Sequence, residues 1–264
     1  MTFDAKTSDA KTSDAKTGAA RALALVDLTD LGEAATQDGA RALCARAVTA
    51  HGPVAAVCLW PRFVATAKAA LAGTGVKIAT VVNFPAGGED TRAVETETAQ
   101  AVADGADEID LVMPYRAFLA GRPGFAETQI VRVKRVCGTR ALLKVILETG
   151  EIGDPAQIRA AADLALGAGA DFVKTSTGKV AVNATPEAVA ILLEAVKASG
   201  RPAGVKAAGG IRTTAQAAEH LALADRIMGP GWAQPATFRF GASGLVDDLV
   251  AVLDGRAGAA GGGY

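Results

Sequence analysis

The chain has 264 residues, half of them hydrophobic but only 5% aromatic, with 27 basic residues against 28 acidic and a formal net charge of −1. Such a balance supplies no basic surface for a nucleic-acid partner. No apolar run approaches the ~20 residues of a membrane span, and the N-terminus lacks the apolar core of a signal peptide. Two histidines, His51 and His220, argue against a His-rich metal site. Three widely spaced cysteines, Cys44, Cys58 and Cys137, form no CxxC pair, which fits a reducing cytoplasm.

Residues 4–18 read DAKTS, DAKTS, DAKTG. Three near-identical pentapeptides offer almost nothing apolar to bury, so residues 1–18 are expected to be a disordered repeat tail. The folded domain is expected over 19–256. Short apolar, β-prone runs then recur at 25–28, 54–60, 77–84, 108–113, 142–148, 172–177, 204–208 and 238–242, with 224–228 competing for the eighth place. Ala-rich segments of helical period lie between them, among others at 91–104, 155–167, 186–199 and 213–222. Asp154-Pro155, Thr185-Pro186 with Glu187 in the first turn, and Thr213 or Thr214 read as helix starts; Gly105, Gly167 and Gly200 read as stops. Residues 257–264 are Gly/Ala-rich and expected to be a flexible tail ending in Tyr264.

Strands alternating with helices imply βαβ units and a parallel sheet. Eight of them in this length predict a single α/β domain closed as a (β/α)8 TIM barrel. No GxGxxG follows the first run, which weighs against a doubly wound dinucleotide fold.

In a barrel the active site sits at the C-terminal ends of the strands. Charges embedded in apolar strands therefore mark it, because an unpartnered buried charge is too costly to keep without a reason. Asp27 stands in VDLT, Asp110 in EIDLVM, Lys144 in LLKVILE, Lys174 in DFVKTST and Lys206 in AGVKAAGG. Any one of them alone, Lys144 or Asp27 especially, also reads as part of an ion pair that ties barrel layers together. Lys174 and Lys206 occupy equivalent positions on neighbouring strands, so their ammonium groups should depress one another's pKa. One neutral amine beside one cation is what amine nucleophilicity needs near neutral pH. The pattern does not say which lysine is which.

An anion site is expected at one corner of the mouth. Gly209-Gly210-Ile211-Arg212 follows the seventh run, Gly241-Ala242-Ser243-Gly244 the eighth, and Gly178-Lys179 the sixth. Glycines let backbone N–H groups approach an anion, helix N-termini favour negative charge, and Arg212 can fork onto a phosphate. Together they predict a small phosphorylated ligand. Cys58 has no histidine on a neighbouring strand to activate it and reads as a packed or ligand-lining thiol.

At residues 173–179 (VKTSTGK) and 205–212 (VKAAGGIR) the sequence resembles the DeoC family of class I, metal-independent deoxyribose-phosphate aldolases. The resemblance extends through VDLTDL, VCLWPRF, NFPAGGED, DEIDLVMPYRAF, LLKVILETGE, KTSTGKVAVNATPE and FRFGAS, in consistent order, and leaves out only the pentapeptide tail. It implies Lys174 as the Schiff-base lysine, Lys206 as the lysine that perturbs it, and Asp110 as the acid working with Lys206 in proton transfer. It also implies that Asp27, Thr29 and Cys58 line the substrate cavity, with Lys144 beside them. Lys179, Gly209, Gly210, Arg212, Ser243 and Gly244 would bind phosphate, and Tyr264 would assist proton exchange. The implied reaction is reversible cleavage of 2-deoxy-D-ribose 5-phosphate to D-glyceraldehyde 3-phosphate and acetaldehyde, in deoxyribonucleoside catabolism, with no cofactor and no metal. A homodimer fits the resemblance. Two departures stand out: Ser243-Gly244 replaces the family's Ser-Ser, and Ala207 replaces a proline common after the seventh-strand lysine. Rival readings are another Schiff-base phosphosugar barrel, such as a transaldolase, and a non-catalytic phosphosugar-binding barrel, which would have no use for two paired lysines.

Overall fold

Parallel strands buried on both faces read as continuous apolar runs, and the chain folds accordingly. The computed structural model describes residues 4–256, with side chains from residue 14 onward. Its barrel strands are β1 (Val26–Asp30), β4 (Ala56–Leu59), β5 (Lys77–Val82), β6 (Glu108–Val112), β7 (Leu142–Ile146), β8 (Phe172–Lys174), β9 (Gly204–Ala208) and β10 (Phe238–Ala242). They are hydrogen-bonded in chain order, all parallel, and β10 closes on β1. A small antiparallel ribbon, β2 (Val48–Thr49) and β3 (Gly52–Pro53), lies outside the barrel. The expected closed barrel is the observed one. The competing segment 224–228 belongs to a helix, so residues Phe238–Ala242 supply the last strand.

Outer helices follow the strands: α2 (Gln37–Arg46) after β1, α3 (Val64–Ala70) after β4, and α4 (Thr91–Ala103) after β5. Then come α5 (Tyr115–Leu119) and α6 (Pro123–Cys137) after β6, α7 (Thr149–Ile152) and α8 (Pro155–Gly167) after β7, α9 (Pro186–Ser199), α10 (Thr214–Met228) and α11 (Leu245–Leu253). The anticipated caps work as side-chain acceptors: Asp154 takes the N–H of Gln157, Thr185 that of Ala188. Thr213, rather than Thr214, starts α10 through a capping box with Gln216. Gly200 ends α9 in the left-handed region at φ 64°, whereas Gly167 is the last helical residue of α8 and Gly169 carries the positive φ. No helix among the described residues is long and apolar enough to cross a membrane.

One expectation needs correction. The pentapeptide repeat is not separate from the fold: it forms the start of α1 (Asp4–Leu23), which precedes β1. Ala and Lys favour helix, and residues 4–17 contain no Gly or Pro to stop one. The anchor is at the far end, where Ala19, Ala22 and Leu23 are buried at helical spacing and Arg21 makes a two-pronged ion pair with Asp225 of α10 at 2.6 Å. Tertiary packing against α10 and α11 thus propagates helix into a segment with no core of its own.

Candidate active site

Strand register places the interior charges. Lys174 on β8 is the direct partner of Lys206 on β9, as expected from their equivalent positions. Lys206 is in turn opposite Arg239 on β10, and Asp110 on β6 is opposite Lys144 on β7. All of these side chains point into the barrel and are almost entirely buried.

Asp110 is the hub. Its Oδ2 accepts from Lys174 Nζ and from Lys206 Nζ, each at 2.8 Å, and its Oδ1 accepts from Lys144 Nζ at 2.9 Å. Asp27 holds Lys206 at 2.6 Å through Oδ2 and Arg239 at 2.6 Å through Oδ1. Glu108 bridges Arg239 at 2.8 Å and Lys144 at 2.5 Å. Each of Asp27, Glu108 and Asp110 therefore touches at least two cations. Three carboxylates match three cations, Lys144, Lys206 and Arg239, and Lys174 is the fourth basic group. Among the described residues its sole carboxylate contact is Asp110. An unmatched buried charge is costly, so the cluster sheds its surplus most easily at Lys174.

The pKa directions agree with this count. Burial pulls the Lys174 ammonium below the ordinary lysine value; Asp110 opposes that, and Lys206 adds to it. Burial would lower Lys206 as well, but Asp110 and Asp27 hold it well above the usual value. Burial would raise Asp110, yet Lys144, Lys174 and Lys206 keep it well below the carboxylate range. Contacts and pKa directions thus both favour Lys174 over Lys206 as the amine that gives up its proton, a point that strand position alone leaves open.

Lys174 also reaches a cavity of about 370 Å³ at the C-terminal ends of the strands. Thr29, Asp30 and Leu31 line one side, Thr177 to Lys179 another, and residues 208–212 and 241–243 a third. Gly209 and Gly210 both adopt positive φ, near 85°. At Gly209 an added Cβ would lie 2.6 Å from Asn183, so a side chain there is excluded by packing as well as by backbone. A Cβ at Gly241 would lie 2.9 Å from Lys206 Cε, which makes this glycine the opening through which Lys206 extends. Lys179 Nζ donates to the carbonyl of Leu31 at 2.9 Å across the cavity. Arg212 and Ser243 are exposed at its rim, and Gly244 is the N-cap of α11.

Among the expected site residues, then, Lys174, Thr29, Lys179, Gly209, Gly210, Arg212 and Ser243 line the cavity. Lys206, Asp110, Asp27 and Lys144 lie beneath it as the ion cluster. Cys58 is fully buried among Ala56, Ala79 and Val81, where burial pushes its thiol up. Tyr264 and the 257–264 tail lie outside the described residues.

Three participants escaped the sequence reading. Glu108 and Arg239 are charged residues in apolar strands and meet the same criterion as Asp110. They were passed over because they sit towards the strand starts, away from the end where barrel sites gather. Glu148, just past β7, is a buried non-glycine residue at φ 62°, a conformation kept only where the surroundings impose it. Its carboxylate accepts from the N–H of Thr177 at 3.1 Å and from its hydroxyl at 2.6 Å. It thereby fixes the turn that carries Thr177 and Lys179 into the cavity. No group of three or more His, Cys, Asp or Glu among the described residues is arranged to hold a metal ion.

Comparison with known proteins points the same way. Residues 21–243 match the model of the DeoC/LacD family aldolases. The chain is 54% identical over 237 residues to a deoxyribose-phosphate aldolase of Agrobacterium fabrum (strain C58), covering 89% of this chain and 92% of that protein. A crystal structure from Toxoplasma gondii ME49, assigned as a deoxyribose-phosphate aldolase, superposes with a TM-score of 0.84 at 26% identity, over 93% of this chain and 97% of the other. The tetrameric deoxyribose phosphate aldolase of Aeropyrum pernix superposes with a TM-score of 0.72 at 27% identity, over 92% and 96%.

Proposed function

The chain belongs to the DeoC/LacD family of aldolases, and from that premise we propose that it is a class I deoxyribose-phosphate aldolase acting through a Schiff base on Lys174. The substrate is 2-deoxy-D-ribose 5-phosphate, cleaved reversibly to D-glyceraldehyde 3-phosphate and acetaldehyde. One observation carries the reading: the surplus amine of the buried cluster is also the one that opens into the cavity.

Neutral Lys174 adds to the C1 aldehyde, and Asp110 and Lys206, with a water, move the protons that convert the carbinolamine to an iminium. The iminium is an electron sink. As the C3 hydroxyl loses its proton, the C2–C3 bond breaks, its electron pair passes into the enamine, and glyceraldehyde 3-phosphate leaves. Protonation of the enamine at C2 is assigned to Tyr264, directly or through a water, and hydrolysis then frees acetaldehyde and Lys174. Because the iminium takes the electron pair, the proposal needs no metal and no cofactor. Lys179, the amides around Gly209, Gly210, Ser243 and Gly244, and Arg212 hold the 5-phosphate and so set the distance between C1 and Lys174. Asp27 and Lys144 act from below by keeping Lys206 and Asp110 charged and oriented, while Thr29 shapes the side of the cavity and Cys58 packs behind it. A cytoplasmic setting and assembly into a homodimer or larger homo-oligomer complete the reading, the latter supported by the tetrameric relative.

Borohydride reduction in the presence of 2-deoxyribose 5-phosphate, followed by peptide mapping, tests it. A stable adduct on the Lys174 peptide is expected. An adduct on Lys206 would reverse the two roles, and absence of any adduct under turnover would remove the Schiff base.

A further inference from the structure

The ion cluster extends well below the catalytic level. Arg239 and Glu108 sit at the other end of the barrel, where they line a separate cavity of about 610 Å³ with Leu23, His51, Lys77 and Leu142. Neither lines the substrate cavity. Arg239 is faced by Asp27 from β1, Glu108 from β6, the Pro235 carbonyl and the Phe172 ring from β8. Lys144 is faced by Asp27, Glu108 and Asp110, with Lys206 close enough to repel it. Lys174 is faced by Asp110 from β6, Lys206 from β9, Cys58 from β4 and, less closely, Glu148.

We propose that Arg239 and Glu108 are positioning residues that set the protonation state of Lys174 by completing a charge-matched cluster from the far end of the barrel. The proposal rests on the aldolase reading for its catalytic meaning. The charges form one connected set, Arg239 to Asp27 to Lys206 to Asp110 to Lys174, with Glu108 joining Arg239 to Lys144. In so poorly solvated a space a change of one unit at the base is felt at the top. Removing Arg239 leaves three carboxylates with two matched cations, so Lys174 takes up a proton to become the third. Removing Glu108 has the opposite sign: cations are in excess, and Lys174 loses its proton more readily. A purely structural pair would weaken folding in both variants and shift the titration in neither direction systematically.

The test measures the pH midpoint of Lys174 in two ways: competitive labelling by a small amine reagent read by mass spectrometry, and the rate of borohydride-trapped imine formation with acetaldehyde. Arg239→Met should raise the midpoint by about one unit and slow imine formation about tenfold at a fixed pH below it. Glu108→Gln should lower the midpoint, the Glu108→Gln/Arg239→Met double variant should return it towards the wild-type value, and Arg239→Lys should leave it near wild type. Midpoints that stay put, move the same way in both single variants, or fail to return in the double variant overturn the inference. Should Arg239→Met not fold, Glu108→Gln and the charge-neutral double variant decide on their own. A wild type that traps no imine while the labelling midpoints move in opposite directions would sink the aldolase reading and uphold the electrostatic one.

Discussion

The barrel interior and the phosphate corner use cations in opposite ways. Inside, Lys144, Lys206 and Arg239 each lie against two or more carboxylate groups. At the corner, Lys179 and Arg212 make no ion pair among the described residues, and the glycine-rich turns contribute backbone rather than side chains. The interior is matched but for a single amine, the one to which the proposed function gives the role of reagent. The corner is left unmatched so that an anion arriving from solution completes it. On the proposed reading chemistry belongs to the first region and substrate affinity to the second, and substitutions should separate the two.

Lys174→Met should have the largest effect, a loss of about 10⁴-fold or more in kcat with no trapped adduct, because no other buried amine is in surplus. Steady-state cleavage and reductive trapping measure it. Next comes Lys206→Met, with a loss of about 10²- to 10⁴-fold in kcat. Its pH profile is the sharper readout. Losing that cation removes a repulsion and leaves Asp110 Oδ2 to Lys174 alone, so the Lys174 midpoint rises and the acid limb of kcat/KM moves to higher pH. Arg212→Ala leaves the interior untouched. It should raise KM for the phosphorylated sugar about 10- to 100-fold, the equivalent of one charge-assisted hydrogen bond. Turnover of unphosphorylated 2-deoxyribose should change little; an equal loss on both substrates would dissolve the division between the regions. Gly244→Ser is the mildest. Gly244 has φ −111°, and a Cβ there meets nothing within 4 Å, so the restored hydroxyl should lower KM about two- to fivefold without changing kcat.

Much of this division could be read from the order of residues. The barrel follows from eight apolar runs spaced by capped helical segments, and the lysine pair follows from two charges at one register level. Glycine-plus-cation turns located the corner. What stayed hidden depended on distance in space. What distinguishes Lys174 from Lys206 is Asp27, far earlier in the chain, which reaches Lys206 and is not paired with Lys174. Arg239 and Glu108 stand 131 positions apart in the sequence, and only the closed barrel puts their side chains in one layer. The N-terminal repeat illustrates the converse: its composition speaks for disorder, and a helix forms because the segment after it docks on α10 and α11.

That docking has a topological consequence. With α1 packed against α11, an added Cβ at Gly255 would sit 3.5 Å from Lys16 Nζ, so the first and last helices of the barrel run as neighbours on the flank opposite β5 to β7. Flanking helices that approach in this way at residues 16 and 255 permit circular permutation of the barrel between them. A Gly/Ser linker joining residue 256 to residue 16, with new ends opened in an exposed loop such as residues 120–122 between α5 and α6, would keep every strand pairing and every member of the ion cluster in place.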